Sequence, residues 1–168
     1  MRFSTKDLLQ NFDTTWLPGN IRAAMLRLDR IHPLVQGNKW FKLKRNLAAA
    51  GGLPVVTFGG PWSNHLHATA AACRLLGVPV TGIVRGEAPR EPSQTLADAA
   101  GLGIRIMHVS REAYDRAKKG EIPGELRAVT DGAFIIPEGG GNAEGAAGCE
   151  QILELGDFTA YSHILCAT

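Results

Sequence analysis

Val55-Val56-Thr57-Phe58-Gly59-Gly60-Pro61-Trp62-Ser63-Asn64-His65 decides the fold: a short apolar run, a glycine-proline turn, then a polar trio opening an alanine-rich helix that reaches Leu76. β-Branched and aromatic side chains suit a buried strand, here Val55 to Phe58. Ser63 is a good N-cap, because its hydroxyl can accept a first-turn amide that the helix leaves unpaired. Gly77 closes the helix, since glycine enters the left-handed C′ conformation without a Cβ clash.

The same alternation runs in both directions from this stretch. Upstream, Ala23 to Leu28 reads as a strand entering the Asp29 to Pro33 bend, and Trp40 to Ala50 as a helix ended by Gly51-Gly52. Downstream come a strand from Val78 to Val84, a helix from Pro92 to Ala100, and a strand from Ile104 to Val109. A Ser110-capped helix from Arg111 to Lys119 follows, then a Gly120 to Gly124 loop and a short helix from Glu125 to Val129. Ala133 to Ile136 reads as a strand, Gly139-Gly140-Gly141 as a loop, Ala143 to Leu155 as a helix, and Ser162 to Ala167 as a last strand. Strand and helix in alternation predict an α/β fold with open, mostly parallel sheets and helices on both faces. In such sheets ligands sit beyond the carboxyl ends of the strands, which selects the segments Gly59 to Asn64 and Pro137 to Asn142. A sequence that stops on a strand suggests a fragment of a longer protein, an edge strand being the other reading.

Composition narrows the field. The 168 residues are 45% hydrophobic and 20% charged, enough to bury a core as one domain or most of one. A net charge of +2 spread along the chain argues against a nucleic-acid or anionic-membrane partner. The tight basic group Lys42, Lys44 and Arg45 reads as a solvated helix face. Cys73, Cys149 and Cys166 are too far apart for a zinc or redox motif and read as thiols in a reducing compartment. No N-terminal apolar run resembles a leader, and no segment approaches the roughly 20 apolar residues of a membrane span, so the expected location is cytoplasmic.

Lys39 follows Gly37-Asn38 and opens the helix that contains Trp40 and Phe41. A cation at a helix N-terminus opposes the macrodipole, which favours a pocket-facing role over a solvated one. Burial and the cation of Lys42 one turn on would both leave part of its amine neutral and nucleophilic. Ser63 can be an N-cap, a proton relay, or both, while Gly59-Gly60 lets backbone approach a ligand and the amides after Ser63 can receive an anion. His65 and His67 are two apart, cannot share a helix face, and are not read as a metal site. His32, His108 and His163 read as packed or surface histidines. The Gly139 to Asn142 run lacks the spacing of a dinucleotide or P-loop motif.

Taken in order, Leu28-Asp29-Arg30, Gln36 to Leu43, Gly60 to His65 and Ile136 to Ala146 resemble the 1-aminocyclopropane-1-carboxylate deaminase and D-cysteine desulfhydrase family. That family is a fold type II, tryptophan-synthase-β-like group of pyridoxal-phosphate enzymes. The resemblance implies that Lys39 carries the cofactor as an imine and that Lys42 helps hold its phosphate. It further implies that Ser63 contacts the substrate carboxylate and moves protons, that Asn64 bonds the cofactor 3′-oxygen, and that His65 lies near the substrate carboxylate. The expected reaction converts a small amino acid to a 2-oxo acid and ammonia, with sulfide in the desulfhydrase case.

The same resemblance divides the chain into residues 1–45 from a larger cofactor domain, 46–155 as a smaller domain, and 156–168 as a strand returning to the larger one. In the family the last strand leads to a glycine- and threonine-rich phosphate loop, which would follow Thr168. Its absence implies an incomplete architecture, weak or absent cofactor binding, and little activity for the chain alone. The competing expectations are a non-catalytic remnant that self-associates through an exposed sheet edge, and a flavodoxin-like nucleotide-binding module.

Overall fold

The computed structural model describes residues 8–19 and 21–166. A small antiparallel pair comes first: β1 (Leu9–Asn11) against β2 (Ala24–Leu26), with Leu9 opposite Leu26. The chain then forms α1 (Asn38–Ala50), β3 (Val55–Gly59), α2 (Asn64–Leu76), β4 (Val80–Arg85) and α3 (Gln94–Gly101). It continues through β5 (Arg105–Val109), α4 (Arg111–Lys118), α5 (Gly124–Thr130), β6 (Phe134–Ile136) and α6 (Ala143–Glu150). Strands β3 to β6 make one parallel sheet in the order β5-β4-β3-β6.

That order carries a topological consequence. From β3 the chain steps outward through β4 to β5, then returns to lay β6 on the opposite side of β3. The crevice where an open α/β sheet receives ligands therefore lies at the carboxyl ends of β3 and β6. All five residues of β3 are buried, as expected of a strand covered on both faces. Alternation along it divides the interior: Val55 joins a cluster with Trp40, Leu43, Leu66 and Leu96, whereas Val56 and Phe58 join Tyr114, Ala117 and Leu126. Helices α1, α2 and α3 thus cover one face, and α4 and α5 the other.

Local signals place the helix ends. Ser63, Ser93, Ser110 and Asn142 each cap a helix by accepting the amide three residues on. Gly51 and Gly77 end α1 and α2 in the left-handed conformation. Helix α3 starts at Gln94 rather than at the expected Pro92, because the Ser93 hydroxyl is the cap. The helix expected from Ala143 to Leu155 is α only as far as Glu150 and tightens to a 3-10 turn over Gln151–Leu155, a common way for a last turn to finish.

Ser162 to Cys166, expected to lie in a strand, has no ladder partner among the described residues, and Ala167 falls outside them. Ile164 and Leu165 are exposed. An apolar run becomes a strand only against a neighbouring edge, and none lies beside it here. Among the described residues no helix is long and apolar enough to cross a membrane.

Candidate active site

The loop beyond β6 packs on α1 and on the start of α2, where Gly140 lies close to Lys42 and His65; Ser63 and Asn64 precede His65 at the same helix start. Lys39 and Lys42 sit three apart on the first turns of α1, both partly buried. Gly37 precedes them with φ of 63°, a left-handed conformation that suits glycine and turns the chain into the helix. Lys39 Nζ donates to Asn38 Oδ1 at 3.1 Å. Burial, and secondarily the Lys42 cation, pull its ammonium below the ordinary lysine range, so more of it is neutral amine at a given pH.

Ser63 stands at the turn from β3 into α2. Its Oγ accepts from the Leu66 amide, and its carbonyl accepts from the His67 amide. The hydroxyl hydrogen is not used in the cap, so capping and ligand contact remain compatible. Gly59 makes this placement possible, because a Cβ there would lie 2.6 Å from Ser63 Oγ. Ser63→Ala is expected to cost about 1 kcal/mol of stability in a urea titration, the ordinary value of an N-cap hydroxyl. Asn64, the first residue of α2, has an exposed side chain.

His65 is buried at 3% exposure. Its Nε2 lies 2.8 Å from Thr57 Oγ1, which itself donates to the Ile136 carbonyl at 2.9 Å. Burial first, then the Lys39 and Lys42 cations, lower its pKa to about 4, with Glu138 opposing them. The imidazole is therefore neutral at physiological pH. His32, by contrast, stacks on Trp40 and accepts the Leu34 and Val35 amides, a packed role.

The loop after β6 is held at three points. Glu138 takes a charged hydrogen bond from Lys118 of α4. Burial would raise its carboxyl, but Lys118 and the nearby Tyr114 hydroxyl and Arg85 outweigh that and hold it low. Gly140, at φ of 67°, fits against Lys42 and His65: a Cβ there would be 3.3 Å from Lys42 Cβ and 3.7 Å from His65 Cε1. Asn142 caps α6 through Gly145 and forms a reciprocal amide pair with the buried Asn46 of α1, at 2.7 and 3.1 Å. Asn46 and Thr57, both fully buried and both bonded to site elements, are the polar residues that sequence reasoning missed. Asparagine within an otherwise apolar helix face was the available signal for the first.

No family model matches the sequence. A putative 1-aminocyclopropane-1-carboxylate deaminase of Thermotoga maritima is 36% identical over 141 residues, which are 78% of this chain and 45% of that protein. A D-cysteine desulfhydrase of Klebsiella pneumoniae is 28% identical over 161 residues, 88% of this chain and 49% of the relative. Among solved structures, a crystal structure of an ACC deaminase homologue superposes with a TM-score of 0.72 at 22% identity, over 98% of this chain and 50% of that one. This chain spans about half the length of the curated relatives it matches.

Proposed function

Because this chain is homologous to the 1-aminocyclopropane-1-carboxylate deaminase and D-cysteine desulfhydrase family of fold type II pyridoxal-phosphate enzymes, over about half the length of its members, we propose that it carries the lysine-bearing part of a pyridoxal-phosphate site acting on a small amino acid. The products would be a 2-oxo acid and ammonia, with sulfide if the substrate is a cysteine. What carries the reading is Lys39: an amine on the first turn of α1, its pKa lowered by burial and by Lys42.

The residues present fit such a cofactor. Lys39 offers an amine that is partly neutral, as covalent attachment to a carbonyl requires. Lys42 supplies a cation one turn away for the phosphate, and the first-turn amides of α2 ahead of Leu66 are donors a helix leaves for an anion. The Asn64 side chain is exposed at that helix start and can hydrogen-bond the ring oxygen of the cofactor.

Pyridoxal phosphate, when bound, supplies the electron sink that permits bond cleavage at an amino-acid carbon. The chain's own residues do the rest. Ser63 orients the substrate carboxylate through its free hydroxyl hydrogen and can pass a proton. The Lys39 amine would accept and return protons at the substrate carbon. His65 would line the same site, and Lys42 would carry part of the phosphate charge.

Borohydride reduction after incubation with pyridoxal phosphate, followed by peptide mapping, tests this. The label is expected on Lys39, absent in Lys39→Ala, with affinity lowered roughly tenfold in Lys42→Ala, the effect of about 1.4 kcal/mol. Labelling spread evenly over surface lysines, unchanged by Lys39→Ala, would sink the proposal.

A further inference from the structure

Thr57 is a fully buried hydroxyl in the middle of the central strand, and its hydrogen bonds assign a proton elsewhere. The hydroxyl has one hydrogen to give. The Ile136 carbonyl, 2.9 Å away, can only accept, so that hydrogen goes to it and an Oγ1 lone pair is left facing His65 Nε2 at 2.8 Å. His65 must then carry its ring hydrogen on Nε2, leaving Nδ1 as the bare nitrogen. The opposite tautomer would draw the Thr57 hydrogen away from Ile136.

Nδ1 is buried and has no hydrogen-bond partner. Such acceptors rarely stay unpaired. The charged groups that act on the ring are Lys39 and Lys42 from α1 and Glu138 from the loop beyond β6, with Lys39 the strongest of them. Glu138 at neutral pH has no hydrogen to donate, and the Lys42 stem and the His65 ring both lie near Gly140. Lys39 now spends a hydrogen on the exposed Asn38 side chain, a contact its unbranched stem can readily exchange.

We propose that Thr57 is a positioning residue: it fixes His65 as the Nε2–H tautomer so that the bare Nδ1 serves as hydrogen-bond acceptor for the Lys39 amine. The imidazole thereby holds one N–H of that amine and sets the direction of its lone pair. The significance for catalysis rests on Lys39 being the reactive amine, whereas the tautomer, set by Thr57 and the Ile136 carbonyl, does not depend on any cofactor. His65 in this state is an acceptor and offers no hydrogen to a carboxylate from Nδ1.

Long-range proton–nitrogen correlation spectra of histidine-labelled chain provide the test. Wild type and Thr57→Ser are expected to show His65 protonated on Nε2 and bare on Nδ1 at pH 7 and at pH 5. Thr57→Val, of nearly the same shape, should lose that single tautomer. Lys39→Met should shift the Nδ1 resonance toward that of an acceptor without a donor, while Lys42→Met, which removes the same charge one turn away, should leave it in place. A hydrogen on Nδ1 in the wild type, an intact tautomer in Thr57→Val, or equal Nδ1 shifts in the two lysine variants would overturn the proposal. Should Thr57→Val not fold, the wild-type tautomer and the lysine pair still decide. Failure of borohydride labelling with these spectra intact would remove the cofactor reading and leave the tautomer assignment standing.

Discussion

Gly148→Ala is expected to lower stability by about 2 kcal/mol and the melting temperature by roughly 5 °C, read by calorimetry. A Cβ at this position would clash with the Phe41 carbonyl oxygen and lie 2.9 Å from its carbon, both backbone atoms of α1. No side chain can swing aside, so α6 must move away from α1 or tilt. Overpacking of this kind costs about 3 kcal/mol, offset by about 1 kcal/mol because alanine is the better helix former. The exposed neighbour Ala146→Gly should cost only the propensity, about 1 kcal/mol. Because Phe41 and Lys42 are adjacent, the same substitution should reduce pyridoxal-phosphate labelling of Lys39 as well. Full stability in Gly148→Ala would show that the two helices do not approach this closely.

Asn142→Ala is expected to cost about 2 to 4 kcal/mol in a urea titration, from two losses. The first is the N-cap of α6, about 1 kcal/mol. The second is the buried Asn46 amide, whose Oδ1 loses its donor at a cost of about 1 to 3 kcal/mol. Asn46 cannot simply flip its amide, because its Nδ2 also donates to the Lys42 carbonyl at 2.8 Å. Asn142→Asp separates the two contributions: it keeps the cap to Gly145 but sets a carboxylate oxygen against Asn46 Oδ1. A variant no less stable than wild type at pH 7 would mean that the amide pair does not tie the loop to α1.

Much of the fold was legible because its signals are local. Ser63, Ser110, Gly51 and Gly77 mark helix ends with short-range chemistry, and the β-branched Val55 and Val56 identify a buried strand. Where signals were short or distant, reading failed. Strand β1 is three residues, Leu-Gln-Asn, too brief for any alternation, and is defined only by pairing with β2. Ser93 was passed over for the neighbouring proline. The last strand was read from an apolar run, but strand formation depends on a partner that sequence does not display. For the site, Lys39, Lys42, Ser63, Asn64 and His65 were singled out in advance; the lysines lie on the first turns of α1, the other three at the start of α2, and both lysine cations act on the His65 ring. The partners that orient them were not visible, because Asn46 and Asn142 are 96 residues apart and Thr57 meets Ile136 across 79.

The division of the interior by the sheet has a bearing on how this sequence can drift. Lys39, Lys42 and His65 come from helices on one side, while Val56, Phe58, Ala113, Ala117 and Leu126 fill the other. Repacking that second compartment can tune robustness with little disturbance of the lysines, so it is the natural reservoir for neutral variation and for engineered thermostability. An exception is the contact of Tyr114 and Lys118 with Glu138, through which a change in α4 would reach the loop beyond β6.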